Sequence, residues 1–172
     1  MKRILIPLSF LLLSACGGGS SSSKTETEIN PLPVDPEKFV LHNVRFDAKD
    51  YYDQEQVSIK EGTSFEVQWV SPSSATYKID LYLSTNGEKH SDDNKIVELR
   101  CGSDSFSLCP NATGEVQCII DDNTLSCSID HNFVGSAGFL DEHLSSLKFI
   151  IKGCDALNNC DVKTFNLLVD SK

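Results

Sequence analysis

The chain has 172 residues, with 25 Asp and Glu against 15 Lys and Arg, for a formal net charge of −10. Such a chain is repelled by polyanions, so no nucleic-acid partner is expected. Forty per cent of the residues are hydrophobic, and the stretch beyond residue 37 is long enough for one domain with a real core but too short for two.

The first residues read as a targeting signal. Lys2 and Arg3 form a positive start, and Ile4 to Leu13 is an apolar run of signal-peptide length, too short for a membrane span of roughly 20 residues. Pro7 also sits badly inside such a helix. Leu13-Ser14-Ala15-Cys16, followed by Gly17-Gly18-Gly19 and a serine run, resembles the lipobox of bacterial lipoproteins. The resemblance implies cleavage before Cys16 and diacylglycerol attachment to its thiol, followed by acylation with palmitate-type chains. Removing residues 1–15 discards Lys2 and Arg3 and no acid, which leaves the remainder two units more negative. Gly17 is not the Asp associated with inner-membrane retention, so the resemblance implies an outer-membrane anchor.

Residues 16–37 are Gly, Ser, Thr, Glu and three prolines, Pro31, Pro33 and Pro36, without apolar periodicity. Some 20 residues of this kind reach roughly 25 Å on average as a flexible coil. Residues 38–172 form the expected domain. There the apolar residues alternate, which argues for half-buried strands. An opening strand is expected around Val40 to Phe46, and Phe65, Val67 and Trp69 share one face of Ser64 to Val70. Tyr77, Ile79, Leu81 and Leu83 follow, then Val97, Leu99 and Cys101, and Val116, Cys118 and Ile120. Leu125, Cys127 and Ile129 come next, then Leu147, Phe149 and Ile151, and finally Phe165, Leu167 and Val169. Turn signals such as Glu61-Gly62, Asn86-Gly87, Pro110-Asn111 and Asp121-Asp122-Asn123 separate them, while Asp141 to Ser146 allows at most a helical turn. Ser136-Ala137-Gly138 reads as a loop. Short strands punctuated in this way predict an all-β antiparallel sandwich.

With Cys16 taken by lipid, Cys101, Cys109, Cys118, Cys127, Cys154 and Cys160 remain. An even number in an exported chain implies disulfides, and six allow 15 connectivities. Strand register discriminates among them. A two-residue turn at Asp122-Asn123 makes Ile120 face Leu125, Cys118 face Cys127 and Val116 face Ile129, all apolar pairs on one face. Cys118 and Cys127 then form a non-hydrogen-bonded pair, close enough to bridge. The rival Cys109–Cys118 would put β-branched Thr113 at positive φ and ask Pro110 for a hydrogen bond it cannot donate. Cys154 and Cys160 close a short loop, and Cys101 pairs with Cys109 by elimination. No Cys-x-x-Cys occurs, so neither a zinc site nor a redox pair is expected.

At the C-terminal end, two apolar strands flank Asp155-Ala156-Leu157-Asn158-Asn159. This resembles the last hairpin of bacterial immunoglobulin-like domains, with Asn158 where that family has Gly. Ile59 to Val67, containing Glu61-Gly62, is similar to the turn before their second strand. The resemblance implies an immunoglobulin-like sandwich acting as a binding or spacer module.

Chemistry is sparse. His42, His90, His131 and His143 stand in no ligand or catalytic spacing, and no nucleophile elbow or phosphate loop occurs. Asp47, Asp50, Asp53 and Glu55, with Asp92-Asp93 and Asp121-Asp122, are oxygens of the kind calcium takes, yet none forms an EF-hand loop. No cofactor is expected. Trp69 is assigned to the core and Tyr51-Tyr52 to the surface. These readings lead to a non-catalytic lipoprotein, held in the outer membrane through Cys16, whose domain binds another envelope or surface protein in adhesion or assembly. The alternative is a periplasmic or surface inhibitor of a basic hydrolase such as lysozyme, blocking it with an acidic, disulfide-braced loop.

Overall fold

Eleven strands divide between two sheets in the structure, a computed structural model that describes residues 39–71, 75–85, 87, 90–102, 109 and 113–170. The lipobox, the tether, most of the Cys101–Cys109 loop and the Pro110-Asn111 turn lie outside the described residues. The first sheet takes β1 (Asn43–Phe46), β2 (Lys49–Tyr51), β4 (Ser64–Val70), β7 (Thr113–Asp121), β8 (Thr124–Ile129) and β9 (Asn132–Gly138). Its order is β2-β1-β4-β7-β8-β9. The second sheet takes β3 (Gln56–Lys60), β5 (Tyr77–Ser84), β6 (Lys95–Cys101), β10 (Lys148–Asp155) and β11 (Cys160–Asp170), in the order β3-β11-β10-β5-β6. Among the described strands every ladder is antiparallel except β3 with β11, which run parallel, and the isolated Cys101–Cys109 bridge is parallel too. The protein is an all-β sandwich with local disulfides, as the alternation and the cysteine pattern predict, and its two-sheet form is the immunoglobulin-like one that the resemblance implies.

Alternation sets which side chains meet between the layers. Phe46 of the first sheet packs edge-on against Phe149 and Phe165 of the second, with ring centres 5.7 and 5.1 Å apart. Trp69 is fully buried and lies over Gly114, its register partner in β7. A Cβ on Gly114 would come within 2.7 Å of the indole nitrogen, so only glycine admits the ring. The indole N–H donates to the Tyr77 hydroxyl at 3.3 Å, which satisfies the one polar atom the tryptophan buries.

The β7–β8 hairpin has the predicted register, with Ile120 opposite Leu125 and Cys118 opposite Cys127. Asp122 and Asn123 both have positive φ, 49° and 57°, the twist a two-residue turn needs. The expected pair Val116–Ile129 is not part of the ladder, which ends at Gln117–Ser128. A second turn, Asp130-His131 at φ 47° and 65°, already carries Ile129 into its pair with Asn132.

Other expectations need correction. Ser136-Ala137-Gly138 is not a loop but the end of β9, paired with β8 through Ser126, Leu125 and Thr124. The opening strand starts at Asn43 rather than Val40, because Phe39 and Leu41 are pinned by packing and a side chain instead. Phe39 fills the space over Gly153, where a Cβ would stand 2.8 Å from its Cζ and nearer still to Cε1. The Leu41 N–H donates to Asp161 Oδ2 at 2.9 Å. Tyr52 is exposed as expected, but Tyr51 is half-buried and packs edge-on against Phe46. Among the described residues no helix is long and apolar enough to cross a membrane.

Candidate functional site

The six cysteines form the bridges Cys101–Cys109, Cys118–Cys127 and Cys154–Cys160. Cys118 and Cys127 have Cα atoms 4.1 Å apart, the close spacing of a non-hydrogen-bonded pair. All six are structural: Cys118 and Cys127 lie in the core, while Cys154 and Cys160 staple the β10–β11 turn. In that turn Asn158 stands at φ 62°, the position where the resembling family carries glycine. Asp155 organises the turn by accepting the N–H groups of Leu157 and Asn159 at 2.9 and 2.8 Å. The Asn159 side chain, with these backbone donors, holds the Asp155 carboxyl below its ordinary range.

The acidic residues between β1 and β3 build turns and clasps rather than a metal cage. Asp47 Oδ1 accepts the Glu66 N–H at 2.8 Å, and Arg45 pairs with Asp50 at 2.7 Å. Glu55 Oε2 accepts the Tyr52 N–H, and Asp53 Oδ1 accepts the Thr164 N–H of β11. Among the described residues no three His, Cys, Asp or Glu are placed to hold a metal ion. The histidines are dispersed: His42 precedes β1, His131 sits in the β8–β9 turn, His90 lies against the Tyr82 ring and His143 ends a short 3-10 turn.

A second charged group occupies the outer face of β5 and β6. Asp80 is buried, with Oδ2 3.2 Å from Lys78 Nζ and Oδ1 3.9 Å from Lys95 Nζ. Lys95 also reaches Asp92 and Glu98 at 3.2 and 3.3 Å. Burial and the neighbouring Asp80 charge push the Tyr82 hydroxyl up to about 12. Two lysines therefore neutralise the buried carboxylate, and the group braces an edge of the second sheet.

Register places the two ends of the sandwich. The chain enters beside Gly153 and Asp161, at the end holding the Cys154–Cys160 staple. The opposite end gathers the close of β3 and β11, where Lys60 faces Asp170, and the β7–β8 turn. Gly62 N–H donates to the Ile120 carbonyl at 2.8 Å, and Glu61 N–H donates to that of Asp170 at 3.0 Å. There Glu61, Ile120, Asn123, Phe139, Asp141, Leu144 and Val169 line an open cavity of 230 Å³. Ile120 and Phe139 are core residues, and Leu144 and Val169 pack against that core, so the floor is apolar. Asp141 Oδ1 accepts the Asn123 amide, tying the 3-10 turn Asp141–His143 to the hairpin tip. Glu61 stands on the rim, and among the described residues its carboxylate has no hydrogen-bond or ion-pair partner.

Sequence reading singled out Asp121-Asp122 as a turn and Asp141 to Ser146 as a helical turn, yet it did not bring them together. No family model matches the chain, and no curated protein matches its sequence.

Proposed function

We propose that the chain is a non-catalytic lipoprotein of the bacterial cell envelope, anchored in the outer membrane through Cys16, whose sandwich binds another envelope or surface protein. The lipobox-like Leu13-Ser14-Ala15-Cys16 and the Gly/Ser/Pro tether support the anchoring. The observation that carries the binding role is the apolar, carboxylate-rimmed cavity at the end of the sandwich away from where the chain enters. A tether of some 20 residues gives such a domain reach beyond the headgroups, so this end is accessible to a partner. Pockets with an apolar floor and a few polar rim groups are the usual form of a recognition site.

Two measurements test this. Cells grown with labelled palmitate should label the wild-type chain and not Cys16→Ser, and the variant should leave the membrane fraction. A photo-crosslinking residue at Asp122, beside the cavity, should join the chain to one discrete envelope protein, whereas the same residue at Ala156, at the other end, should not. Absence of label on the wild type, or equal crosslinking from both positions, overturns the reading. The acidic rim also suits a basic hydrolase such as lysozyme. Stoichiometric inhibition of added lysozyme by the purified chain, lost in Glu61→Gln, would favour that alternative.

A further inference from the structure

The distal cavity joins an apolar lining to carboxylates at its edge. We infer that it seats a single arginine or lysine of the protein partner; the inference rests on the partner-binding reading above and names the chemistry of its site. The volume, 230 Å³, accommodates roughly eight water-sized groups at about 30 Å³ each, the scale of an arginine side chain and too small for a folded element. Long basic side chains lay an aliphatic stem on apolar surface and keep the charged head at the wet edge. Here Ile120, Phe139, Leu144 and Val169 supply the surface.

Charge selects the head group. Glu61 stands on the rim with no partner among the described residues, and Asp141 has Oδ1 on the Asn123 amide. Glu142 follows Asp141, Asp170 lies across the strand end from Lys60, and Asp122 precedes Asn123 at the hairpin tip, against Lys60 and His143. An anionic ligand meets repulsion from this rim, and a neutral apolar one fills the floor while leaving Glu61 unpaired. A guanidinium satisfies both levels, and its planar fork of donors can pair with a carboxylate through two parallel bonds.

The probe is butylguanidinium, titrated into the 15N-labelled full chain and followed by amide chemical shifts. Saturable shifts confined to Gly62, Asn123, Phe139 and Leu144 are expected, with a Kd on the order of 1–10 mM for so small a ligand. Pentanoate, of similar stem and opposite charge, should give none. Glu61→Gln should weaken butylguanidinium about threefold and leave the binding of neutral butanol unchanged. Equal affinity for butanol and butylguanidinium, or shifts centred elsewhere, overturns the inference. A chain that is palmitoylated at Cys16 and crosslinks its partner from Asp122, yet does not bind butylguanidinium here, refutes the cationic seat alone. A chain that binds butylguanidinium but never acquires lipid refutes the anchoring instead.

Discussion

Gly135 of β9 lies against the backbone carbonyl of Ile96 in β6, so closely that a Cβ would stand 2.9 Å from the carbonyl carbon and nearer still to its oxygen. β9 and β6 are edge strands of different sheets. Both are irregular at this point: the β5–β6 register shifts between Leu81 and Tyr82, and the β8–β9 register shifts between Cys127 and Ser128. Each bulge turns its edge toward the other, and each edge covers one that would otherwise stand open. Gly135→Ala forces backbone apart on one side of the sandwich. It is expected to cost about 2–3 kcal/mol, read as a lower urea midpoint. An unchanged midpoint would show that the contact is slack.

Cys118–Cys127 ties adjacent strands that their turn already holds in register. Replacing both cysteines with alanine should therefore leave the fold intact while lowering stability. The chain-entropy model gives about 2–3 kcal/mol for a loop of this length, and two vacated core positions add to it. Equilibrium unfolding of the double variant, with and without reductant, checks this: reductant should then act only through the remaining bridges.

The hairpin was legible because turn chemistry, apolar pattern and disulfide spacing converge on one register around Asp122-Asn123. Strand β9 was not, because Gly135, Ser136, Ala137 and Gly138 offer no apolar alternation and Phe133 faces solvent at 68 % exposure. Its pairing follows from the neighbouring strand rather than from its own residues. The short β2 escapes for the same reason, with two of its three residues exposed. The distal cavity is invisible to any local pattern, since Glu61, Ile120, Phe139, Leu144 and Val169 meet only through sheet topology.

Stability should fall at both ends of the pH scale, for separable reasons. Burial, with Asp80 nearby, raises Tyr82 in the folded state to about 12 from an ordinary 10.0. The unfolded chain ionises first, so stability is fully present below about pH 10 and is lost as pH rises toward 12. The loss amounts to about 2–3 kcal/mol, and Tyr82→Phe should flatten that limb. In the other direction, the Lys95 hydrogen bond holds Glu98 below its ordinary value. Its contribution is present above the usual carboxylate range and is lost as pH falls through the depressed value. Glu98→Gln should shorten the acid limb and leave the alkaline one alone. Urea midpoints taken across pH would show either limb unmoved if the assignment were wrong.

The β1–β2 turn carries a removable strain. Asp47 and Ala48 stand at φ 49° and 65°, and alanine has no side chain able to compensate for the left-handed conformation. Such a position costs an L-residue about 1–2 kcal/mol, of which glycine's greater freedom in the unfolded chain takes back a part. Ala48 is exposed, so its methyl group makes no core contact to lose. Ala48→Gly is therefore expected to stabilise the domain by about 0.5–1 kcal/mol. A glycine substitution inside a strand, Ser58→Gly in β3, should destabilise it by about as much. Opposite shifts of the urea midpoint in these two variants would tie the effect to backbone conformation. Two shifts of the same sign would refute it.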